Sequence, residues 1–501
     1  MHEYNSYWIK STSSTDYPTL SQDINVDCLV IGGGITGITT AYLLQQEGLK
    51  TVLIEKDRIC LGTTGHTTGK ITSCHNLIYS HLIDSFGKQL AKQYADANQQ
   101  AIRTITKLVN DNNIDCDFSI QPSYVYTTDK NNIARINKEL VAALSLGLPV
   151  EFVDSTDLPF GIESGLRYHD QAQFHPRKYI IKLAELFINN GGAIYENTKA
   201  INLDPNTSQV TTKNNTITAK NIIIATHYPF YAKGHMYFAK MSPYTSYVTG
   251  IKGDSILKKG MYISCDHDTR SFRYVDSDEK LLLFGGQSHK TGQSEDELSN
   301  VEILQKYAQS LYTDVSIKYN WSTQDYITVD LVPYIGLLNN DYDNIYVGTG
   351  YGKWGMTNGT VAGLVIKDLI TTGTSPYKDI YNPSRSFTLN SMKNIYADTI
   401  NSSGEFITSR FKISKAHVEN IRPAEGKTIK IDNKKIGVYR DTNNKLYMLN
   451  TTCPHMKCKV QWNEVEKTWD CPCHGSRFNY DGTFIDGPAN KDLEKISIDD
   501  L

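Results

Sequence analysis

Four of the nine cysteines and two of the thirteen histidines of this chain fall within residues 453–476. In this segment Cys453-x-His455 is followed, after fifteen residues, by Cys471-x-x-His474, so that each half supplies one thiol and one imidazole. Thiolates and imidazoles are common ligands of transition metals in proteins. The spacing therefore predicts a metal site built from two short loops.

Three kinds of site use these residue types. Zinc takes two Cys and two His, but its usual spacing pairs Cys with Cys and His with His. A pair of structural disulfides would leave both histidines unexplained. A [2Fe–2S] centre in which two His replace two Cys on one iron requires one Cys and one His from each of two adjacent loops, and the spacing meets that requirement.

The segment resembles the two cluster-binding loops of Rieske iron–sulfur domains, and the similarity continues through GSRFNYDGTFIDGPA at residues 475–489. The resemblance implies that two cysteines bind one iron, that two histidines bind the other, and that a disulfide joins the loops. The implied ligands are Cys453, His455, Cys471 and His474, and the implied disulfide pair is Cys458 and Cys473.

Two positions after the second loop bear on the reduction potential. In Rieske domains the Ser after CHG donates a hydrogen bond to a bridging sulfide, and this chain keeps it as Ser476. In high-potential members a Tyr two positions later donates another, where this chain has Phe478. Because hydrogen bonds stabilise the more negative reduced cluster, we expect an intermediate potential.

A second chemical pattern lies near the N-terminus, in DCLVIGGGITGITTAYLLQQEGLKTVLIEK at residues 27–56. It predicts a strand, a glycine turn, a helix and a second strand. Gly32, Gly34 and Gly37 have G-x-G-x-x-G spacing directly after the first strand, and Glu55 closes the second. Such a turn lets the backbone approach a pyrophosphate at a helix N-terminus, while the acidic residue accepts ribose hydroxyls. The pattern predicts a dinucleotide site.

The long N-terminal part resembles flavoproteins of the D-amino-acid oxidase and glycine oxidase type, and the whole chain resembles bacterial fusions of such a flavoprotein with a C-terminal Rieske domain. Besides the glycine turn, the similarity rests on GTTGHTTGKIT (62–72), IIIATH (222–227) and GTGYGKWGMTNG (348–359). It implies FAD contacts in and around these segments. The predicted contacts are Gly32, Gly34, Ile35, Thr36, Gly37, Glu55, Lys56, Thr63, Thr64, Thr67, Thr68, Ala200, Thr226, Gly350, Gly352, Met356 and Thr357.

The choice among dinucleotides rests on the number of such fingerprints. A pyridine-nucleotide-dependent flavin reductase normally needs a second one, and the sequence shows a single copy. FAD alone is therefore expected, with electrons coming from an organic substrate. A self-contained Rieske oxygenase would need a mononuclear iron site of two His and a carboxylate. Such families place two His five residues apart, and no His pair of this sequence has that spacing.

The two expected cofactors differ in how many electrons they exchange. A flavin accepts two electrons at once and the cluster one, so their pairing turns substrate oxidation into single-electron output. We predict an FAD-dependent oxidoreductase, a dehydrogenase rather than an oxidase, that passes electrons from a small organic substrate to a protein or quinone acceptor. The alternative is an electron-transfer module that links protein redox partners without a small substrate.

The substrate pocket has two candidate catalytic residues. In amino-acid oxidases of this type an Arg shortly before a D-x-x-P-x-I-G motif clamps the substrate carboxylate. Here the motif begins at Asp330, and Asp325 stands about where that Arg would be. A carboxylate at this place disfavours acids and favours an amine. Arg273, in SFRY, is a second polar candidate at a predicted strand end.

Composition agrees with a globular protein of several domains. A chain of 501 residues with 40% hydrophobic content is too long for a single core. We predict an α/β fold with a Rossmann-like FAD-binding domain and a mixed-sheet substrate domain, followed by a small all-β Rieske domain. The predicted boundaries are 1–375 for the flavoprotein, with FAD-binding segments at about 25–75, 176–230 and 330–373 and substrate segments at about 76–175 and 231–329, then 376–415 for a linker and 416–501 for the Rieske domain.

Partners and location follow from charge and hydropathy. A formal charge of -3 without blocks of like charge argues against nucleic-acid binding. The uncharged stretch 28–46 contains three consecutive glycines, so we expect no membrane span, and the N-terminus lacks the features of a signal peptide. The five cysteines outside the predicted cluster loops are scattered, as is typical of a reduced cytoplasmic protein.

Overall fold

The computed structural model describes residues 5–232, 236–275, 280–294, 296–386, 421–431 and 434–497. The helices are α1 (Tyr7–Lys10), α2 (Ile35–Gln46), α3 (Ile78–Asp111), α4 (Ile133–Ser145), α5 (Pro176–Asn189), α6 (Tyr237–Lys240), α7 (Glu297–Leu311), α8 (Gly355–Thr372) and α9 (Lys378–Tyr381). The strands up to residue 386 are β1 (Ile24–Ile31), β2 (Thr51–Ile54), β3 (Lys70–Ile71), β4 (Ser119–Thr127), β5 (Val150–Val153), β6 (Ser164–Gln173), β7 (Ala193–Tyr195), β8 (Asn202–Asp204), β9 (Gln209–Thr211), β10 (Thr216–Ile224), β11 (Met241–Lys252), β12 (Met261–Ser264), β13 (Ser271–Val275), β14 (Leu281–Lys290), β15 (Ser316–Thr328), β16 (Tyr334–Leu337) and β17 (Ile345–Thr349). The later strands are β18 (Gly426–Ile431), β19 (Lys434–Arg440), β20 (Leu446–Asn450), β21 (Gln461–Asn463), β22 (Thr468–Asp470), β23 (Arg477–Asn479) and β24 (Phe484–Asp486).

The first sheet is mainly parallel, in the order β16-β17-β10-β1-β2-β7, with β9 beside β10 and β8 beside β9. Strand β1 lies at its centre, and Cys28 is opposite Asn221 on β10 and Thr51 on β2. The second half of β1 is an uninterrupted buried apolar run, as expected for a central strand covered on both faces. The predicted strand–turn–helix–strand unit therefore forms the core of this sheet.

Helices α2 and α8 pack closely on each other at this sheet. A Cβ on Gly359 would lie 2.9 Å from Cγ2 of Ile35, and one on Gly363 would lie 3.1 Å from Cγ2 of Thr39. The Thr36 hydroxyl also donates to the Tyr351 hydroxyl at 2.9 Å, which ties the start of α2 to the loop before α8. Glycines on α8 thus bring two segments that are far apart in sequence into contact.

The second sheet is mixed, in the order β15-β11-β14-β13-β12-β4-β6-β3, with β5 beside β6. Its pairs are antiparallel except for β12 and β4, which run parallel. The long strand β11 pairs on one side with β14 and on the other with β15. In the register, Asp325 on β15 is opposite Tyr244 on β11. This sheet carries both candidate catalytic residues, Asp325 on the edge strand β15 and Arg273 on the inner strand β13.

The C-terminal region is all β, with one sheet of β18-β19-β20 and another of β21-β22-β23-β24. All pairs within these two sheets are antiparallel. Trp469 and Phe478 are fully buried and pack with Cys453 and Cys471 in one apolar cluster. The two predicted cluster loops therefore rest on a small common core.

The predicted fold class is confirmed: an α/β flavoprotein fold with mixed sheets precedes an all-β region. The domain boundaries stay predictions. The strands of the first sheet fall in the segments predicted to bind FAD. Strand β3 also falls in one of these segments, but it belongs to the second sheet. Residues 376–386 of the predicted linker pack on the flavoprotein, where Arg385 pairs with Asp330 at 2.8 Å, and residues 387–415 lie outside the described residues.

No helix among the described residues is long and apolar enough to cross a bilayer. The uncharged stretch 28–46 is divided between β1, the glycine turn and α2. Its lack of charge follows from burial in the first sheet and in the α2–α8 contact.

Candidate functional site

The first predicted cluster loop joins β20 to β21, and the second joins β22 to β23. In the first loop the Cys453 N–H donates to the Cys458 carbonyl at 2.8 Å. In the second the Gly475 N–H donates to the Cys471 carbonyl at 3.0 Å, and Gly475 has a left-handed φ of +73°. Both loops are tight turns held by their own backbone.

The four predicted donors converge at the tips of these loops. Cys453 and Cys471 are each 1% exposed and hydrogen-bond each other, and this bond contributes most to lowering the pKa of Cys453 to about 7. The rings of His455 and His474 lie 5.1 Å apart, centroid to centroid. Nδ1 of His474 is buried and has no hydrogen-bond partner among the described residues. Two thiols and two imidazoles, one with an orphaned nitrogen, fit a [2Fe–2S] centre with mixed ligands.

The predicted disulfide between Cys458 and Cys473 is confirmed, with Cα atoms 6.5 Å apart. The sulfurs of this pair and of Cys471 all lie within 4.8 Å of one another. Two of these three sulfurs are in the disulfide and cannot serve as thiolates, so a three-cysteine metal site is excluded while the bond exists. The disulfide joins the two loops beside the four donors.

Two further side chains bear on the expected potential. Ser476 is fully buried, and its hydroxyl accepts the Ala489 N–H at 3.0 Å and also hydrogen-bonds Cys453. Phe478 is fully buried and carries no hydroxyl. The geometry thus offers one side-chain hydroxyl at the loops where high-potential relatives have two.

The glycine turn brings the backbone of β1, β10 and α2 close together. Gly32 has a φ of +114°, and a Cβ there would lie 2.4 Å from the Ala225 carbonyl oxygen. A Cβ on Gly37 would lie 1.8 Å from the Gly32 carbonyl oxygen. Neither position accepts a side chain without backbone movement, which is the physical reason for glycine in this fingerprint.

Glu55 closes the turn from the end of β2. Its Oε2 accepts the Gly33 N–H at 2.7 Å, and its Oε1 accepts the Asp57 N–H at 3.0 Å. Burial raises the pKa of Glu55, although these two N–H groups oppose the shift. Each carboxylate oxygen keeps a lone pair, so the group can also accept a ribose hydroxyl.

A cavity of about 1950 Å³ extends from this turn across the flavoprotein to the Rieske region. Ordinary ligand pockets measure about 300–1,000 Å³, so this one has room for an extended dinucleotide. Thirteen of the predicted FAD contacts line it: Gly32, Gly34, Ile35, Thr36, Glu55, Lys56, Thr63, Thr64, Thr67, Thr68, Ala200, Thr226 and Met356. The others are Gly37, Gly350, Gly352 and Thr357, which are not among its lining residues.

Two of the four predicted contacts that do not line the cavity, Gly350 and Thr357, pack against other parts of the protein. A Cβ on Gly350 would lie 2.5 Å from Cγ2 of Thr328, so the chain is close-packed there. The Thr357 hydroxyl donates to the Thr72 carbonyl at 3.1 Å and contacts His75, whose ring stacks on Trp354. The contacts of single residues with FAD stay predictions.

Asp325 is 8% exposed and lines the cavity together with His227 and Lys353. Burial raises the pKa of Asp325, while the charges of His227 and Lys353 and the Lys353 backbone N–H oppose the shift. Burial also lowers the pKa of Lys353, whose Nζ donates to the Ser288 hydroxyl at 2.5 Å. Asp325 therefore has two basic side chains nearby, and one of them, His227, also pairs with the cavity-lining carboxylate of Asp486 at 2.8 Å.

Arg273 is 1% exposed and does not line the cavity. Its guanidinium donates to Gln173 Oε1 at 3.1 Å, to the Phe174 carbonyl at 2.7 Å and to the Thr68 carbonyl. Burial lowers the pKa of Arg273 to about 9. These bonds hold the 62–72 segment, so the geometry gives Arg273 a positioning role, and its predicted catalytic role has no further support.

Three basic or aromatic residues of the site carried no chemistry in the sequence prediction. His227 and Lys353 lie inside the motifs IIIATH and GTGYGKWGMTNG, which were interpreted as FAD-contacting segments without a role for these two side chains. Phe238 has no motif, yet its ring lies 5.4 Å from the ring of His455 and 5.2 Å from that of His474. His227, a polar residue just after β10, was the one local signal in the sequence for these three residues. Phe238 gave no signal, because its contacts with His455 and His474 join two domains.

Comparison with known proteins agrees with this geometry. The family model described as FAD dependent oxidoreductase matches residues 27–369. This chain belongs to the FAD-dependent oxidoreductase family. The Rieske [2Fe-2S] domain model matches residues 412–497 of the same FAD-dependent oxidoreductase. FAD and a Rieske [2Fe–2S] cluster are thus its cofactors.

Relatives of this FAD-dependent oxidoreductase share one or both parts. The "Putative Rieske 2Fe-2S iron-sulfur protein YhfW" of Bacillus subtilis is 40% identical over 99% of this chain and 98% of its own length. Gamma-glutamylputrescine oxidoreductase of Escherichia coli is 24% identical over 74% of this chain and 89% of its own length. The crystal structure of glycine oxidase from Geobacillus kaustophilus superposes with a TM-score of 0.59 at 14% identity, over 72% of this chain and 99% of that one. The last likeness concerns the fold alone.

Proposed function

We propose that this protein oxidises a small organic substrate, with an amine favoured, at FAD and passes the electrons singly to the Rieske cluster and on to an acceptor. We also propose that it works as a dehydrogenase rather than an oxidase. FAD supplies two-electron oxidation when bound, and the cluster supplies one-electron transfer. The observation that carries the proposal is the contact between Phe238 of the flavoprotein and both predicted histidine ligands.

Phe238 links the cavity to the cluster loops. Its backbone N–H donates to the hydroxyl of Tyr228, which is 6% exposed and lines the cavity. Its ring packs edge-on against His455 and His474. One residue therefore separates a cavity-wall tyrosine from the imidazoles on which the reducible iron would be held. Such contiguity supports electron transfer between the two sites.

A second set of contacts, besides that of Phe238, joins the cavity wall to the second cluster loop. Gln324 Nε2 donates to the Gly475 carbonyl at 3.0 Å, and the Tyr326 hydroxyl donates to the same oxygen at 3.5 Å. Both side chains line the cavity, and Gly475 follows the predicted ligand His474. A Cβ on Gly475 would lie 2.4 Å from Cβ of Pro243, so the second loop sits directly on the flavoprotein. The close docking supports an internal electron path rather than separate partners.

The amine preference rests on Asp325 and on one relative. A buried carboxylate in the cavity attracts a cationic substrate and repels a carboxylate. The name of the Escherichia coli relative gives gamma-glutamylputrescine as what it acts on, and putrescine is an amine. Lys353 offsets part of the Asp325 charge, which limits the size of the preference.

The proposal is tested by anaerobic mixing of the holoenzyme with a panel of amines, including gamma-glutamylputrescine, and of carboxylic acids. Flavin absorbance reports substrate oxidation, and EPR reports the reduced cluster. We expect an amine to bleach the flavin and to produce the low-average-g signal of mixed His and Cys ligation. In Phe238→Leu the signal should appear more slowly while flavin bleaching keeps its rate.

Phe86→Leu is the matched control, because Phe86 lies on α3 and does not line the cavity. It should leave both signals unchanged. A flavin that bleaches while the cluster stays oxidised would contradict internal electron transfer. If only a reduced protein partner bleaches the flavin, the protein is an electron-transfer module without its own small substrate.

A further inference from the structure

One side of the large cavity is made by the Rieske domain. Residues 484–492, which begin with β24, line it without interruption. Opposite them lie Lys56 and Ala200 of the flavoprotein, two residues that the sequence resemblance assigned to FAD binding. Lys56 Nζ also donates to the Ile485 carbonyl, so the two domains touch at this wall. The cavity is therefore a composite of both domains.

The position of this wall relative to the glycine turn identifies which part of a dinucleotide it faces. Lys56 follows Glu55, the acidic residue at the end of β2 that accepts ribose hydroxyls in this fold. The pyrophosphate lies at the N-terminus of the following helix, here α2. Ala200 and the Rieske segment thus line the space beyond the ribose position, where the adenine of a bound dinucleotide would lie.

The chemistry of the wall suits an adenosine group. The Phe484 ring has Lys199 Nζ at 5.0 Å and Lys56 Nζ at 5.7 Å from its centroid. Burial lowers the pKa of Lys199, and the neighbouring charge of Lys56 lowers it further. Aromatic rings bind bases by stacking, and an ammonium group donates hydrogen bonds to acceptors such as base nitrogens and ribose oxygens. Phe484 is partly buried and lines the cavity, so the packing of the two domains leaves part of its ring uncovered.

A second contact fixes the same segment near the pyrophosphate turn. Asp486 Oδ2 lies 2.8 Å from Nδ1 of His227, which follows β10. Ala225, two residues before His227, is the residue whose carbonyl approaches Gly32. Strand β24 is therefore held at Lys56 on one side and at His227 on the other, across the opening of the dinucleotide turn.

We propose that the Rieske domain completes the FAD site: residues 484–492, with Phe484 at the adenosine end, bind the adenosine part of FAD together with Lys56 and Lys199. FAD binding and docking of the Rieske domain are then coupled, and each strengthens the other by the same factor. This coupling holds whichever substrate reduces the flavin and whether or not electrons pass between the sites.

The test measures the affinity of deflavinated protein, with its cluster intact, for FAD, ADP and FMN by flavin fluorescence and calorimetry. Phe484→Ala should weaken FAD and ADP on the order of tenfold, the size expected for loss of one stacking contact, and leave FMN unchanged because FMN lacks the adenosine. Lys199→Gln should weaken FAD and ADP in the same selective way. Tyr480→Ala is the matched control, since Tyr480 is an exposed aromatic residue of the same domain that does not line the cavity.

Because the coupling is reciprocal, FAD binding should also stabilise the Rieske domain, and the cluster EPR signal reports that stability. Adding FAD should raise the temperature at which the cluster EPR signal is lost in the unmodified protein and in Tyr480→Ala, and by less in Phe484→Ala. A normal cluster signal in Phe484→Ala at low temperature shows that the domain has folded. Unchanged FAD affinity in Phe484→Ala and Lys199→Gln, or an equal loss of FAD and FMN affinity, would overturn the proposal.

Discussion

The two cofactor sites of this protein are assembled in different ways. The four predicted cluster donors and the disulfide cysteines all come from two loops within residues 453–474. The walls of the flavin cavity instead come from segments between residues 31 and 492, in both domains. A site made of near neighbours in sequence is visible as residue spacing. A site assembled from distant segments becomes visible only with the fold.

The largest expected effect tests whether the cluster can be removed while FAD remains bound. His455→Ala removes one of two imidazoles that lie 5.1 Å apart and leaves the second iron with too few ligands. We expect complete loss of the low-average-g EPR signal and of bound iron. FAD should remain bound, with its affinity lowered at most as much as in Phe484→Ala, because the Cys458–Cys473 disulfide still joins the loops.

Met456→Ala is the control for this change, because Met456 is the next residue and is 51% exposed. It should keep both the signal and the iron. Stoichiometric zinc in place of iron in the unmodified protein, or a full signal in His455→Ala, would contradict the ligand assignment. Loss of all FAD from His455→Ala would show that the two sites are not separate.

The same contrast explains what could be predicted from the sequence. The cluster donors and the strand–turn–helix–strand unit depend on residues close in sequence, so their spacing indicated them, and the resemblance to Rieske domains implied the disulfide pair. His227 and Asp486 are 259 positions apart, and nothing in IIIATH or in the Rieske segment indicates that they meet. Phe238 likewise has no local signal, since its two partners lie in the other domain.

Arg273 shows a different limit of sequence interpretation. A polar residue at a strand end is a reasonable catalytic candidate, but its exposure and partners are decided by the neighbouring sheet. In the structure its guanidinium donates to three backbone or amide oxygens, and Arg273 does not line the cavity. Tertiary contacts of this kind have no counterpart in the spacing of residues along the chain.

A change at His227 should produce a moderate, pH-dependent effect on the composite site. Burial lowers the pKa of His227, but the charge and hydrogen bond of Asp486, with Asp325, outweigh it, so the pKa is raised above 6.5. The contribution of this pair to domain docking is then complete below pH 6.5 and is lost as the pH rises through the raised pKa. The pKa of Asp486 is lowered from 3.8, so the contribution is also lost in strong acid.

His227→Asn should remove this pH dependence, and asparagine tolerates the left-handed φ of +63° at this position. The temperature at which FAD is released, followed by flavin fluorescence from pH 5 to pH 9, is the measurement. The unmodified protein should hold FAD more strongly than the variant at pH 5, by about 1–3 kcal/mol, and by less at pH 9. His267→Gln, at a fully exposed residue, is the control. An identical pH profile in His227→Asn and the unmodified protein would contradict this role.

The last effect, similar in size to that of His227→Asn, concerns the sign of the charge in the substrate pocket. Opposite charges about 4 Å apart attract by about 4 kcal/mol at an effective dielectric constant near 20, before desolvation is subtracted. Asp325 offers less than this, because burial raises its pKa and Lys353 offsets its charge. Asp325→Asn should therefore weaken an amine substrate by about one to two orders of magnitude in kcat/KM.

FAD affinity should stay the same, and thermal stability should not fall, because the variant removes a carboxylate that is costly to bury. If kcat/KM for amines is unchanged, or if a carboxylic acid without an amine reduces the flavin best in the unmodified protein, the pocket does not select cations and Asp325 serves the structure of β15 instead.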